Sequence, residues 1–461
     1  MKEQKEQLKD RATNLHAKFG LASRVITPPL GIYSRNWGAA KFDQATGIHQ
    51  DLMMQCLYTQ SEGGKPVVLI TADLGWWKNA ADEQTLRFSL LSYFQWDESQ
   101  LIFALSHTHA GPSICSTDEG QPGGSLIKPY LLFLEEQAKA CVEEARENLF
   151  EGLLTWGYGV CDLATNRDLK VGDDYLIGYN PAEAADQTLL VGQLHDLTHQ
   201  RRAIICNYAC HPTSFAHENE LISPDFVGEL RETVTGSLQV PCFFLQGASG
   251  DLAPKKQYVK DPKLVEANGK QLGYAVLATV AQMEHPTQRW VFEKALVSGA
   301  PLACWRFEEE VPHNTVDQKI QHVEVPYKTM DHAETILAEY EACTDRVLKD
   351  RLWRKYNTRM SIGDRQTATI PVWLWKMGNA IVVAQANEAY SMYQQAVRAA
   401  FPAYCIAFVN IANGYVGYLA PQELYGKDIY AVWQSPYEKG SLEILIEETK
   451  AAIHKLITNE T

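Results

Sequence analysis

Short apolar runs recur along this chain, separated by longer segments in which apolar residues return every three or four positions. Residues 67–72, 101–105, 203–209, 242–245, 380–384 and 405–409 are short, apolar and bounded by turn residues, which predicts six buried strands. Helical periodicity predicts helices over 127–149, 263–283, 331–355, 389–400 and 441–457. In the first, Leu131, Leu134, Ala138, Cys141, Val142, Ala145 and Leu149 fall on one face. Ser441, after Gly440, is placed to cap the last helix. Residues 286–330 read as several strands in succession. Strands and helices mix without a strict β-α-β rhythm, so the fold class is α/β of the mixed α+β kind, with mixed sheets flanked by helices. Residues 1–24, rich in Lys, Glu and Gln, read as a helical lead-in, and 25–461 as a single large domain.

Composition narrows the function classes. The 461 residues carry a net charge of −14, and no Lys/Arg-rich run is interleaved with aromatics. Such a surface repels phosphate backbones, which excludes nucleic acid as an expected partner. No stretch reaches 18 uninterrupted apolar residues and the first 18 lack an apolar signal region, so no stable membrane anchor is expected. The ten cysteines are scattered, without a CxxC pair, which fits neither a disulfide framework nor a cysteine zinc site. The expected location is the cytoplasm.

The turns at the ends of the apolar runs carry the chemistry. Run 101–105 leads into Ser106-His107-Thr108-His109-Ala110-Gly111-Pro112, and run 203–209 into Cys210-His211-Pro212-Thr213-Ser214. Run 242–245 leads into Gln246-Gly247-Ala248-Ser249-Gly250-Asp251, and run 380–384 into Gln385-Ala386-Asn387-Glu388. Run 405–409 leads into a segment ending Gly414-Tyr415-Val416-Gly417-Tyr418. Rigid strands aim side chains at such ends, and the adjoining loops leave room for substrate. On extended backbone His107 and His109 would point to one side. His211 is the natural third nitrogen. Each histidine has a structural alternative as a hydrogen-bonded core residue, and Glu388 has one as a carboxylate in a helix's first turn. Two His and one Glu with an open fourth position is nevertheless a catalytic zinc arrangement. No phosphate loop, GxSxG elbow or HExxH is present.

At these residues the chain resembles the catalytic domain of neutral (alkaline, non-lysosomal) ceramidases and their shorter bacterial relatives. The resemblance runs from Ile26-Thr27-Pro28-Pro29-Leu30-Gly31 to about Gly440. It passes through Gly47-Ile48-His49-Gln50-Asp51-Leu52, Thr71-Ala72-Asp73-Leu74, the His107 and His211 turns, Thr165-Asn166-Arg167, Ser223-Pro224-Asp225-Phe226 and Gly250-Asp251. It implies zinc held by His107, His211, Glu388 and Tyr418. It implies His109 and Arg167 beside the scissile amide and its oxyanion, and Tyr437, of Tyr437-Glu438, orienting the substrate. Two departures stand out. Where ceramidases read Gly-Asp-Val-Ser-Pro, this chain reads Gly250-Asp251-Leu252-Ala253-Pro254, and Ser249 is no obvious substitute for the serine. The chain also ends at Thr461 without the family's immunoglobulin-like domain. Both bear on whether ceramide itself is cleaved.

The expectation is a zinc-dependent hydrolase cleaving an amide (N-acyl) bond of a small-molecule acyl substrate, with a zinc-activated water as nucleophile. Asp251 is a further candidate, as a partner that orients a ligand histidine. The alternatives are an esterase or other acyl hydrolase on the same metal, and a binding protein that the metal merely stabilises.

Overall fold

The computed structural model describes residues 14–458, whose core is two packed sheets between two layers of helices, with five two-stranded sheets besides. The larger sheet has eight strands. In spatial order they are Cys242–Gln246, Arg201–Tyr208, Thr188–Asp196, Phe150–Val160, Asn14–Val25, Met53–Gln60, Val67–Ala72 and Leu101–Leu105. The smaller sheet orders Val316–Pro326, Thr367–Met377, Ala380–Ala384 and Cys405–Val409. Both are mixed, as expected. The outer pairs Arg201–Tyr208 with Cys242–Gln246, Val67–Ala72 with Leu101–Leu105, and Ala380–Ala384 with Cys405–Val409 run parallel.

One apolar cluster lies between the sheets. It joins Leu69, Ile102, Leu190, Ile205 and Phe243 of the larger sheet to Trp373, Val382, Ala407 and Val409 of the smaller. Helices Ala80–Phe94 and Ile127–Glu147 cover one half of the large sheet's outer face. Helices Phe226–Leu238 and Pro262–Gln282 cover the other half. Helices Met392–Ala400 and Ser441–Thr458 back the small sheet. Strands buried on both faces read as continuous apolar runs rather than alternating ones, which is why the six runs were visible in the sequence.

Three sequence expectations change. Of the expected lead-in, residues 1–13 lie outside the described ones, and 14–24 belong to strand Asn14–Val25, paired on both sides near the middle of the large sheet. The helix expected over 331–355 is two, Ala333–Ala342 and Arg346–Ile362. Asp345 starts the second, its carboxylate accepting the Leu348 amide at 2.7 Å. Ser441 opens the last helix, but its hydroxyl donates to the Glu438 carbonyl at 2.7 Å instead of accepting an amide.

The two sheets are stitched together where the parallel strands end. The Asn410 amide donates to Gln246 O at 2.8 Å, and the Leu105 amide to Ile411 O at 3.1 Å. Strand Leu101–Leu105 is an edge, whose unpaired backbone groups need partners. Asn413 supplies them: Oδ1 accepts the Phe103 amide at 2.8 Å and Nδ2 donates to Leu101 O at 2.8 Å. The C-terminal ends of both sheets are thereby locked around one point.

Candidate active site

Strand Leu101–Leu105 stops two residues before His107, which takes φ 69°, a left-handed conformation uncommon for any residue but glycine. The rings of His107 and His109 do meet, with centroids 4.9 Å apart, but through this kink rather than through extended alternation. The His107 amide donates to Leu74 O at 2.9 Å and its Nδ1 to Gly75 O at 3.1 Å, so Nε2 carries the lone pair. His211 is held the same way. Its Nδ1 donates to Ser249 O at 2.7 Å and Leu252 O at 3.1 Å. Asp225 fixes the turn beyond it, its carboxylate accepting the amides of Phe215 at 2.8 Å and Phe226 at 2.7 Å.

Glu388 arrives from the small sheet. It lies not in a helical turn but in the two-residue strand Glu388–Ala389, paired with Tyr418–Leu419. Gly417, at φ 106°, turns its carbonyl to accept the Glu388 amide at 3.0 Å. Glu388 Oε2 then lies 2.7 Å from His211 Nε2 and 3.2 Å from His107 Nε2. The Tyr415 hydroxyl donates to Oε1 at 2.8 Å. The Tyr418 hydroxyl accepts from an Arg167 amino group at 2.9 Å, while Arg167 Nε donates to Gly250 O at 3.1 Å. The structure thus brings together His107, His109, His211, Glu388, Tyr418 and Arg167, drawn from residues 107 to 418.

This cluster fits a cation. Both imidazoles keep their protons on Nδ1, donating them in hydrogen bonds to carbonyls, so two nitrogen lone pairs converge on one carboxylate oxygen. Burial, reinforced by the Arg167 cation, pushes His211 down to about 4, so it is neutral. Three acceptors facing one another repel unless a positive charge lies among them. His107 Nε2 and both nitrogens of His109 are buried without a hydrogen-bond partner. His107, His109 and His211 also each offer a ring nitrogen within 4.8 Å of the others. Two donor sets therefore overlap, three histidines or two histidines with Glu388. The contacts of Glu388 Oε2 favour the second. Tyr418 is suited to join it: burial raises its hydroxyl pKa, and Arg167 opposes that by favouring the anion.

His107, His109, Arg167, Glu388 and Tyr418 line the floor of a cavity of about 1250 Å³, with His211 buried behind them. Trp76 packs against both His107 and His109, with ring centroids 5.6 and 4.9 Å away, and Trp37 lies 5.1 Å from His109. Tyr437 is not among the lining residues. It is buried behind the site, where it accepts from Asn387 Nδ2 at 2.8 Å and stacks on Tyr327. Tyr430, packed edge-on against Tyr418, lines the cavity instead. Asp251 orients no histidine. Its carboxylate takes the amide and hydroxyl of Ser391 at 2.6 and 2.7 Å. Ala253 is fully buried in strand Leu252–Pro254, opposite Thr165. The Ser249 hydroxyl is taken up by Gln246 at 2.6 Å. Sequence reasoning missed Tyr415, Tyr430, Trp37 and Trp76 as site residues. Tyr415 lay inside the glycine-flanked motif that ends in Tyr418. The other three had no signal beyond being aromatic.

Fold and site define a mixed α/β protein whose chemistry sits where the ends of two packed sheets meet. The comparisons point to neutral ceramidase. The neutral ceramidase of Pseudomonas aeruginosa is 27% identical over 265 residues, 53% of this chain and 38% of that protein. The chain thus spans well under half the length of this curated relative. The crystal structure of that ceramidase matches with a TM-score of 0.67 at 16% identity, covering 96% of this chain and 75% of the other. A structure described as a ceramidase complexed with C2 matches with a TM-score of 0.68 at 17% identity, covering 96% and 76%. No protein-family model matches. In fold and in part of its sequence, this chain is neutral-ceramidase-like.

Proposed function

We propose that the protein is a zinc-dependent hydrolase that cleaves an amide (N-acyl) bond of a small-molecule substrate. The observation that carries this reading is the convergence of His107 Nε2 and His211 Nε2 on Glu388 Oε2 at the floor of the cavity. His107, His211, Glu388 and Tyr418 would hold the metal. Nitrogen, carboxylate and phenolate donors suit zinc. Bound there, zinc supplies a Lewis acid for a carbonyl and lowers the pKa of a water towards neutrality. Similarity to a ceramidase supports the amide as the bond cleaved.

The chain's own groups have separable tasks. His109 reaches the cavity with both nitrogens free, so its N–H can donate to an oxyanion developing on the substrate. Burial, with the neighbouring His107 and His211, holds its pKa well below the usual range, so it acts as a neutral donor. Arg167 acts through Tyr418, fixing the hydroxyl and favouring its ionised form. Tyr415 locks Glu388 in one rotamer. Trp37 and Trp76 wall the histidines from bulk water and offer flat faces to a substrate. Tyr430, at the cavity wall, takes the substrate-orienting place that the resemblance gave to Tyr437.

The ten cysteines are free thiols, which supports a reducing compartment such as the cytoplasm. Among the described residues no helix is long and apolar enough to cross a membrane. The test of the reading is a panel of N-acyl amides and matched esters, assayed with zinc-loaded protein and with His107→Ala. Amide turnover in the first and none in the second is expected. Turnover of esters alone would replace the amide by an ester, and no turnover with zinc retained would leave a metal-stabilised binding protein.

A further inference from the structure

The wall of the cavity is charged in a way the whole chain is not. Over its length the protein has 42 Lys and Arg against 56 Asp and Glu. Around the cavity the balance reverses, to eight Lys and Arg against the three carboxylates Asp118, Asp350 and Glu388. Glu388 belongs to the site at the floor. Three of the cations are paired: Arg354 with Asp350 at 2.7 Å, Arg346 with Asp43 at 2.6 Å, and Lys78 with Asp118 at 3.6 Å. Arg35, Lys349, Arg351 and Arg365 have no carboxylate within ion-pair reach among the described residues. Their contacts are to backbone carbonyls or aromatic faces: Arg35 to Gly38 O, Arg365 to Ile362 O, Lys349 over Tyr340, and Arg351 over Trp433. Arg35 also buries an Nε with no partner.

Most of these cations come from one place. Lys349, Arg351 and Arg354 lie on helix Arg346–Ile362 and Arg365 just beyond it, along one side of the cavity. Trp353, Tyr415 and Tyr430 line the same cavity, whose floor is the metal-type cluster. Like charges gathered in a cleft with low-dielectric walls focus a positive potential, and an acidic protein has no structural need for such a concentration. Planar guanidinium groups without carboxylate partners are suited to carboxylate, phosphate or sulfate oxygens.

We propose that the substrate carries an anionic group, drawn to the positive cavity wall that bears Lys349, Arg351 and Arg365, while its acyl amide reaches the cluster. This rests on the amide-hydrolase reading and adds to it the charge class of the substrate. It separates this protein's specificity from that of an enzyme acting on an uncharged lipid amide.

The test has two arms. In the first, zinc-loaded protein is assayed with three amides of one acyl chain: N-octanoyl-glycine (anionic), N-octanoyl-ethanolamine (neutral) and N-octanoyl-ethylenediamine (cationic). The expected order of kcat/KM is anionic, neutral, cationic, with the anionic advantage residing in KM and shrinking as salt rises to about 0.5 M, where the Debye length falls below ~5 Å. The double variant Arg351→Gln/Arg365→Gln, at two exposed positions, should lower the anionic-to-neutral preference about tenfold. The second arm needs no turnover. Octanoate and octanol are titrated against the tryptophan fluorescence of the cavity, which is lined by Trp37, Trp76, Trp77 and Trp353. Octanoate should bind more tightly than octanol, and the double variant should remove that difference. If no amide is cleaved but octanoate shows this behaviour, the hydrolase reading fails and the anion site survives. Equal binding of octanoate and octanol, or a preference that the double variant leaves intact, would overturn the proposal.

Discussion

Glu388 Oε2 is the atom on which the site turns, because the ring nitrogens of two imidazoles converge on it. Replacing a residue of the donor set should therefore be read first in metal content and only then in rate. Wild-type protein should bind about one zinc per chain, and His107→Ala and Glu388→Gln should bind close to none. His109→Ala decides between the two overlapping donor sets. If His109 is an oxyanion donor, that variant keeps its zinc and loses roughly 10²–10³-fold in kcat. Loss of zinc from His109→Ala would make the donor set three histidines. Asp251 gives a separate test at this scale. Burial raises its carboxyl to about 6, against the pull of the Ser391 amide and hydroxyl. A raised acid pKa means that the native state holds the proton more tightly than the unfolded chain, whose carboxyl titrates near pH 4. The contribution of this group is thus full below about pH 4 and is lost as pH climbs through about 6, on the order of 3 kcal/mol. Asp251→Asn preserves the shape and can still bond to Ser391. Denaturation curves over this range should show wild type losing stability relative to the variant by about that amount as pH rises, and parallel curves would contradict the assignment.

Among the structural elements, the segment after strand Cys405–Val409 does the joining. Asn413 fills the backbone bonds of an edge strand on the opposite sheet, with its own amide donating to Phe103 O at 2.9 Å. Asn413→Ala would leave the Phe103 amide and the Leu101 carbonyl unpaired in the interior. It should cost about 2–4 kcal/mol in unfolding experiments and loosen the strand that delivers His107. A loss under about 0.5 kcal/mol would show that the two sheets do not depend on this bridge. The elements themselves were legible wherever burial on both faces wrote an unbroken apolar run: 67–72, 101–105, 380–384 and 405–409 match the strands residue for residue. Strand Asn14–Val25 was not, because Lys18, Ser23 and Arg24 interrupt its apolar pattern and it comes after a charged segment. Candidate ligands were legible because strand ends concentrate them. The groups that orient them were not: His107 and His211 are held by the carbonyls of Gly75, Ser249 and Leu252, and every residue type has a carbonyl. Tyr437 was placed at the site by a motif, yet its hydroxyl is spent on Asn387 and Tyr430 occupies the cavity wall.

At the scale of the whole molecule, two sheets face to face create a floor that neither could supply alone. His107 and His211 come from the large sheet, and Glu388 and Tyr418 lie beyond strands of the small one. The pairing spans hundreds of residues of sequence, which is why composition and spacing could nominate the ligands but not assemble them. Such a site should be lost when the sheets separate, so on the proposed reading zinc would bind the assembled state alone and should stabilise the protein by mass action. At free zinc about 100 times its dissociation constant, that stabilisation is about 2.7 kcal/mol, seen as a higher Tm in the presence of metal and as its reversal by chelator. His107→Ala should show no such shift. The measurement that bears most directly on the central claim is turnover of an N-acyl amide panel by one preparation, before metal removal, after it, and after zinc is restored. The account predicts amide cleavage that disappears with the metal and returns as zinc approaches about one equivalent per chain. Cleavage that persists in metal-free protein, or that His107→Ala leaves unchanged, would contradict it.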